Sequence, residues 1–214
     1  MFSLLRPSDD VIRAHLDRHA AAPFTYDFVG CTREEPAPVR GYSIDRNRVL
    51  LGAGRATYLR ACDAIRRWEM FPAALAQLCW RDQPPRPDLV VGVLYRVWLA
   101  PLWVLFPARV VYLLDEVNES PAGRVHRFGF AYGTVADHPE RGEERFQVEW
   151  HESPGSAPDH TSGSVYYDLV AISQPAHWLA QTAYPYTRYE QARFRRLSGK
   201  AMGSAPAGPS GKPP

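Results

Sequence analysis

The chain has 214 residues, of which 45% are hydrophobic and 12% aromatic, and its formal net charge is +2. This length suits one domain with extensions or at most two small domains, and the apolar share supports a sizeable core. Basic residues interleaved with acids at so small a net charge argue against a nucleic-acid-binding surface.

In chain order, Met1 to Pro7 lacks the long apolar region of a signal peptide, so a cytoplasmic protein is expected. Ser8-Asp9-Asp10 reads as the cap and acidic first turn of a helix through about His19. Val11, Ile12 and Leu16 form its apolar stripe, with Asp17, Arg18 and His19 toward solvent. Pro23 ends this element, which makes residues 1–22 an N-terminal helical extension. Phe24, Tyr26 and Phe28 alternate with Thr25, Asp27 and Val29 and predict a strand. A proline-rich turn over Glu34 to Arg40 leads to Gly41-Tyr42 and the short apolar run Val49-Leu50-Leu51. Gly52 and Gly54 punctuate the backbone before a helix; the spacing of a phosphate-binding loop is missing and no lysine follows. From Ala56 to about Trp80 the apolar period becomes helical, with a kink or split at Pro72.

Pro84, Pro85 and Pro87 close that region. Strands are then predicted at about 88–98, 108–117, 126–135, 143–151 and 164–173. The most apolar stretch, Leu89 to Leu114, is interrupted by Arg96, Pro101, Pro107 and Arg109. It fits two buried strands better than a membrane span. Ala136 to Gly142 is a turn and Ser153 to Gly163 a longer loop. A helix starts at His177, is broken at Pro185 and continues to about Leu197. The pattern gives a single ligand-cavity domain over residues 23–200 and a disordered Pro/Gly/Ser tail over 201–214. Cys31, Cys62 and Cys79 are odd in number and lack metal-ligand spacing, so they read as reduced structural thiols, with no metal.

This order predicts an α+β fold, in which a curved antiparallel β-sheet or partly closed barrel grips the C-terminal helix (helix-grip, START-like). The alternative is a closed barrel of about ten strands. Phe128, Phe130 and Tyr132 recur at every second position, while Gly129, Ala131 and Gly133 leave the other face nearly bare, as a sheet bent around a cavity requires.

Tyr26…Val29-Gly30-Cys31-Thr32, Gly41-Tyr42, Leu51-Gly52-Ala53-Gly54 and Arg60-Ala61…Trp68-Glu69-Met70-Phe71-Pro72 carry a family resemblance. They are joined by Gly129-to-Phe146 and by Ile172-Ser173-Gln174-Pro175. Over roughly residues 20 to 200 the chain resembles uncharacterised protein family 0548, catalogued as a domain of unknown function. The resemblance implies a small cytoplasmic protein, with some bacterial relatives in secondary metabolism, and implies no particular activity. The chain departs from the commonest pattern by its N-terminal helix and its tail.

Several residues are candidates for chemistry. Glu144 shares strand parity with Phe146, Val148 and Trp150, which puts it on an apolar face with a raised pKa, unless the strand begins at Arg145 and Glu144 lies in a solvated turn. One of Asp115 and Glu116 faces inward, or both sit at a strand end in water. Asp168, within Tyr166 to Val170, is either a cavity acid or an outward partner for a neighbouring arginine. Tyr132 and Tyr26 are candidate cavity hydroxyls, or structural tyrosines. Arg127 pairs with Glu144, binds a ligand carboxylate, or makes a plain ion pair. His138 serves as acid or base, or simply shapes the turn before Pro139. Phe130, Thr134, Phe146 and Trp150 complete the expected ligand-binding wall.

The leading expectation is a cofactor-independent acid/base enzyme acting on a hydrophobic, polyketide-like small molecule. It would be a cyclase or dehydratase that closes rings, including ketals. The alternative is a carrier for a lipid or other apolar metabolite, and a weaker one is an interaction module with exposed aromatics. Neither nucleic acid nor membrane is an expected partner.

Overall fold

The structure, a computed structural model, describes residues 1–72, 75–79, 83–97, 102–121, 123–152, 162–176 and 184–205. The chain begins with a short strand β1 (Phe2–Ser3) and helix α1 (Asp9–Arg18), then β2 (Ser43–Ala53) and α2 (Gly54–Arg66). There follow β3 (Ala76–Cys79), β4 (Val90–Val97), β5 (Leu102–Ser120), β6 (Gly123–Thr134), β7 (Glu140–Glu152), β8 (Ser164–Pro175) and a final helix α3 (Tyr184–Gly203). Ser8 caps α1 by accepting from the Val11 amide, and Asp9 and Asp10 occupy the first turn, as the sequence predicts.

The strands form one antiparallel sheet of eight, in the order β2-β8-β7-β6-β5-β4-β3, with β1 beside the start of β5. Chain neighbours from β3 to β8 are sheet neighbours, and β2 joins the far edge by pairing with β8. The sheet is curved but does not close, because among the described residues β2 and β3 each have one partner. This corrects the alternative of a closed barrel. Residues 43–53 form one long strand with a bulge between Leu50 and Gly52, rather than the several strands closure would need.

Four further expectations change. Residues 24–28 make no strand; a single bridge joins Phe24 to Val135. The helix expected over 56–80 stops at Arg66, and residues 76–79 form the edge strand β3. Trp68 adopts φ 58°, and its buried indole donates to the Gln83 carbonyl at 2.9 Å. The helical apolar period there came from residues plugging the concave face of the sheet, not from a continuous helix. Val11 is 49% exposed whereas His19 is buried, so the apolar face of α1 is rotated from the expected one. Finally, α3 runs through Pro185 to Gly203, with the proline in the first turn, where its missing N–H costs no hydrogen bond. The expected helix start at His177 and the tail beyond Ala205 lie outside the described residues.

The core is in two parts. The larger lies between the concave face and helices α2 and α3, with Ala61, Ile65, Trp68, Phe71, Phe130, Phe146, Tyr167 and Met202 among its buried members. Phe130 and Phe146 are direct cross-strand partners whose rings stack at 5.3 Å, and Trp68 meets Phe130 edge-on at 4.8 Å. The smaller part joins α1 to β3, β4 and β5 through Ile12, Leu16, Cys79, Leu94 and Leu105. The N-terminal segment is therefore built into the sheet, through β1 as well as α1, rather than appended to it. Cys31 and Cys62 carry free thiols, and burial pushes both up to about 12.

Candidate functional site

Between the concave face and α3 lies a cavity of about 880 Å³. Its walls are largely apolar, from Phe71, Leu75, Val93, Val104, Phe106, Ala171, Ile172 and Phe194. Its polar groups come from adjacent strands and one helix face: Tyr132 on β6, Glu140 and Glu144 on β7, and Glu190 and Gln191 on α3. The helix is tied to β2 by Asp45, which accepts from Arg188 Nη2 at 2.7 Å and lies 3.2 Å from Arg195. Asn47 adds a bond to the Arg195 carbonyl at 2.8 Å. Tyr167 and Ser198 hydroxyls meet at 2.7 Å lower down.

Glu144 and Tyr132 stand opposite one another on β7 and β6, and the phenol donates to Glu144 Oε2 at 2.7 Å. The expected parity holds, because β7 begins at Glu140 and Glu144 is well inside it. Burial pushes the Glu144 carboxyl up to about 7, against the opposing pull of the Tyr132 hydrogen bond and the Arg195 charge. Tyr132 is raised well above its ordinary range by burial and by the neighbouring Glu144, so it remains a donor.

Glu140 is a second acid that sequence reasoning missed, because residues 136–142 read as a turn. It shares parity with Glu144 across Gly142, and burial followed by the Glu144 charge raises it to about 7. The side-chain amide of Gln191 donates to its Oε1. The legible signal was Glu-Arg-Gly-Glu-Glu as a strand of period two, visible once β7 is started at Glu140. His138, in the turn, lines the same cavity; its Nδ1 accepts from the Glu140 amide at 3.0 Å, and burial lowers it to about 4. It therefore shapes the turn and is neutral at pH 7. Glu190 Oε1 is buried without a hydrogen-bond partner among the described residues.

The other candidates lie elsewhere. Phe130, Phe146 and Trp150 are buried in the core beneath the cavity, and the Trp150 indole donates to the Ser162 carbonyl at 3.0 Å. Thr134 touches the cavity, but its hydroxyl is used by the Gly142 amide at 2.9 Å and by Thr25 at 2.6 Å. Tyr26 is on the convex face, donating to Glu143 at 2.8 Å. Asp168 is on that face too, bonded to Arg48 at 2.8 Å and Arg145 at 3.3 Å, the outward ion pair that was its simpler reading. Arg127 pairs with Glu149 at 3.3 Å and Glu116 at 3.7 Å, not with Glu144. Asp115 is exposed opposite Phe128, further along the sheet from Tyr132 and clear of the cavity. Tyr26, Asp168, Arg127 and Asp115 are thus corrected as cavity groups.

The chain belongs to the family described as a domain of unknown function (DUF1990), whose profile matches residues 25–201. A UPF0548 protein from Dictyostelium discoideum is 35% identical over 91% of this chain and 90% of its own. One from Arabidopsis thaliana is 32% identical over 76% of this chain and 72% of its own, and one from Deinococcus radiodurans 30% over 92% and 94%. A hypothetical protein from Helicobacter pylori superposes with a TM-score of 0.45 at 9% identity, over 76% of this chain and 86% of its own. No helix among the described residues is long and apolar enough to cross a membrane.

Proposed function

We propose that this protein is a cofactor-independent acid/base enzyme that closes rings on a hydrophobic, oxygenated small molecule, with the helix-grip architecture of START-like domains. The observation that carries this reading is the hydrogen-bonded Tyr132–Glu144 pair at the wall of a large apolar cavity, with the carboxyl raised to about 7. Tyr132 donates to Oε2, so the Glu144 proton resides on Oε1 and can pass to a carbonyl oxygen or departing hydroxyl. Glu140, when ionised, takes the proton from the attacking hydroxyl. Two carboxyls that titrate together near neutrality divide acid and base roles between them.

Hemiketal formation balances on these two groups: the hydroxyl oxygen bonds the ketone carbon, Glu140 gains a proton and Glu144 gives one to the new hydroxyl. Loss of that hydroxyl as water takes the proton now held by Glu140. The second hydroxyl then adds to the resulting oxocarbenium carbon with its proton passing to Glu144, which gives a ketal and restores both carboxyls to their starting states. Polyketide-like chains carry this pattern of ketones and alcohols on an apolar backbone. The walls of Phe71, Val93 and Phe194 would hold such a chain folded, which supplies the proximity that ring closure needs.

The test compares wild type with Glu144→Gln on a panel of linear long-chain dihydroxy-ketones, following closure by mass spectrometry. Binding of anilinonaphthalene sulfonate is measured in parallel. Wild type should accelerate closure, and Glu144→Gln should lose at least about 100-fold of that acceleration with dye affinity unchanged. Tight dye binding by a wild type that accelerates no member of the panel would instead support a carrier of apolar metabolites and overturn catalysis.

A further inference from the structure

The turn between β6 and β7 brings Asp137 against the end of α1, where His15 and His19, four residues apart, share one side of the helix. Each of the three offers one ligand atom, and these atoms lie within 4.8 Å of one another. Both imidazoles are buried, at 3% and 7% exposure, while the Asp137 side chain is 61% exposed. We propose that His15, His19 and Asp137 bind one divalent transition-metal ion of the Zn²⁺ type, which clips the N-terminal helix to the β6–β7 turn at the edge of the cavity. The inference does not depend on the acid/base reading.

The protons on the two rings carry the argument. His19 Nδ1 lies 2.7 Å from the His15 carbonyl, which can only accept, so the neutral ring keeps its lone pair on Nε2. That Nε2 sits 3.2 Å from Asp137 Oδ2. Two acceptors at this distance repel unless a cation is shared between them, either a proton or a metal ion. Two ligands of a tetrahedral ion with bonds of about 2.0–2.1 Å stand about 3.3 Å apart, so the observed spacing suits the metal as well as it suits the proton.

His15 separates the two. Its Nε2 is buried with no hydrogen-bond partner among the described residues, an expense that a simple His19–Asp137 ion pair does nothing to relieve. Its other nitrogen faces the guanidinium of exposed Arg18 at 3.3 Å. Coordination through Nε2 moves the ring proton to Nδ1, and Arg18 turns out into solvent. Two imidazoles and a carboxylate are the donor set of zinc-type sites with water in the remaining position, and they are too nitrogen-rich for Mg²⁺ or Ca²⁺. His19 Nδ1, held on a backbone carbonyl, has the outer-sphere bond that orients a ligating histidine. His15 and Asp137 also line the cavity, which places the ion at its edge.

The full chain, stripped with chelator, is titrated with Co²⁺ and then Zn²⁺. One equivalent of Co²⁺ should give the visible absorption of a low-coordinate site, Zn²⁺ should displace it, and Mg²⁺ should not. Asp137→Ala, an exposed position whose fold is checked by circular dichroism, should weaken Zn²⁺ binding at least about tenfold, and His19→Ala likewise. Zn²⁺ should also protect residues 1–22 from limited proteolysis in wild type but not in Asp137→Ala. Absence of binding in wild type, or equal affinity in wild type and Asp137→Ala, would overturn the site and leave an imidazolium–carboxylate pair.

Discussion

Glu143 and Glu144 are neighbours in sequence and point to opposite faces of the same sheet, and the two faces treat a carboxylate in opposite ways. On the convex face, Glu143 accepts from the Tyr26 hydroxyl at 2.8 Å, the Gly30 amide at 2.7 Å, the Thr32 amide at 3.0 Å and the Thr32 hydroxyl at 2.5 Å. Those four donors fold residues 26–32 over the outer surface, where no strand forms. On the concave face Glu144 has the Tyr132 phenol and a large hollow. Buried acids of one kind therefore hold the fold and those of the other kind remain available to exchange protons. The difference is the number of donors aimed at each.

The sharpest way to break this contrast is at the cavity face. Replacing Glu140 or Glu144 by Gln should each cost at least about 100-fold in turnover of a ring-closing substrate. The double replacement should cost little more than either, because the two act as one acid–base unit. Single-turnover kinetics on the four proteins checks it. Fully multiplicative losses would mean that the two carboxyls work independently.

On the convex face the effect should be on stability alone. Glu143→Ala strands four donors, two of them backbone amides, and should cost about 3 kcal/mol in urea unfolding with dye affinity in the cavity unchanged. A smaller loss is expected from Gly133→Ala. The added methyl would sit 2.1 Å from the Tyr26 hydroxyl, so Tyr26 must leave Glu143, at about 1–2 kcal/mol. If Gly133→Ala is neutral, Tyr26 is not needed to hold the outer loop.

Much of this was legible in period and composition. The aromatic face of β6 and the parity of Glu144 follow from simple alternation, and so does the bare row at Gly129, Ala131 and Gly133. That bare row is where Tyr26 and Phe24 lie against Gly133. The alternation of Phe24, Tyr26 and Phe28 misled because side-chain capture by Glu143, far along the chain, replaced the ladder. Asp168, Arg127 and Asp115 needed strand registers that no local pattern fixes. Glu140 was hidden by a strand starting three residues earlier than expected, and the His15–His19–Asp137 cluster by a turn that meets α1 only in the folded chain.

An effect no larger than that of Gly133→Ala follows from the raised carboxyls. Glu144 and Glu140 stand at about 7 in the folded protein against an ordinary carboxyl value of 4.5. Between these values the folded state binds more protons than the unfolded one, so their contribution to stability is present below about pH 4.5 and is lost as pH rises through 7. Both line a cavity and Glu144 keeps some accessible surface, so the combined loss is reduced from the full linkage value to about 1–2 kcal/mol. Wild type should therefore lose that much between pH 5 and pH 8 in chemical denaturation, over and above the pH response of the rest of the molecule. Glu144→Gln, which has no charge to desolvate, should flatten the profile by about half and be the more stable protein at pH 8. The same replacement would then remove activity and add stability, whereas Glu143→Ala removes stability and leaves the cavity intact. An unchanged pH profile in Glu144→Gln would mean that Glu144 is ionised throughout, with solvent or a cation at its side, and would remove the proton on which the acid role depends.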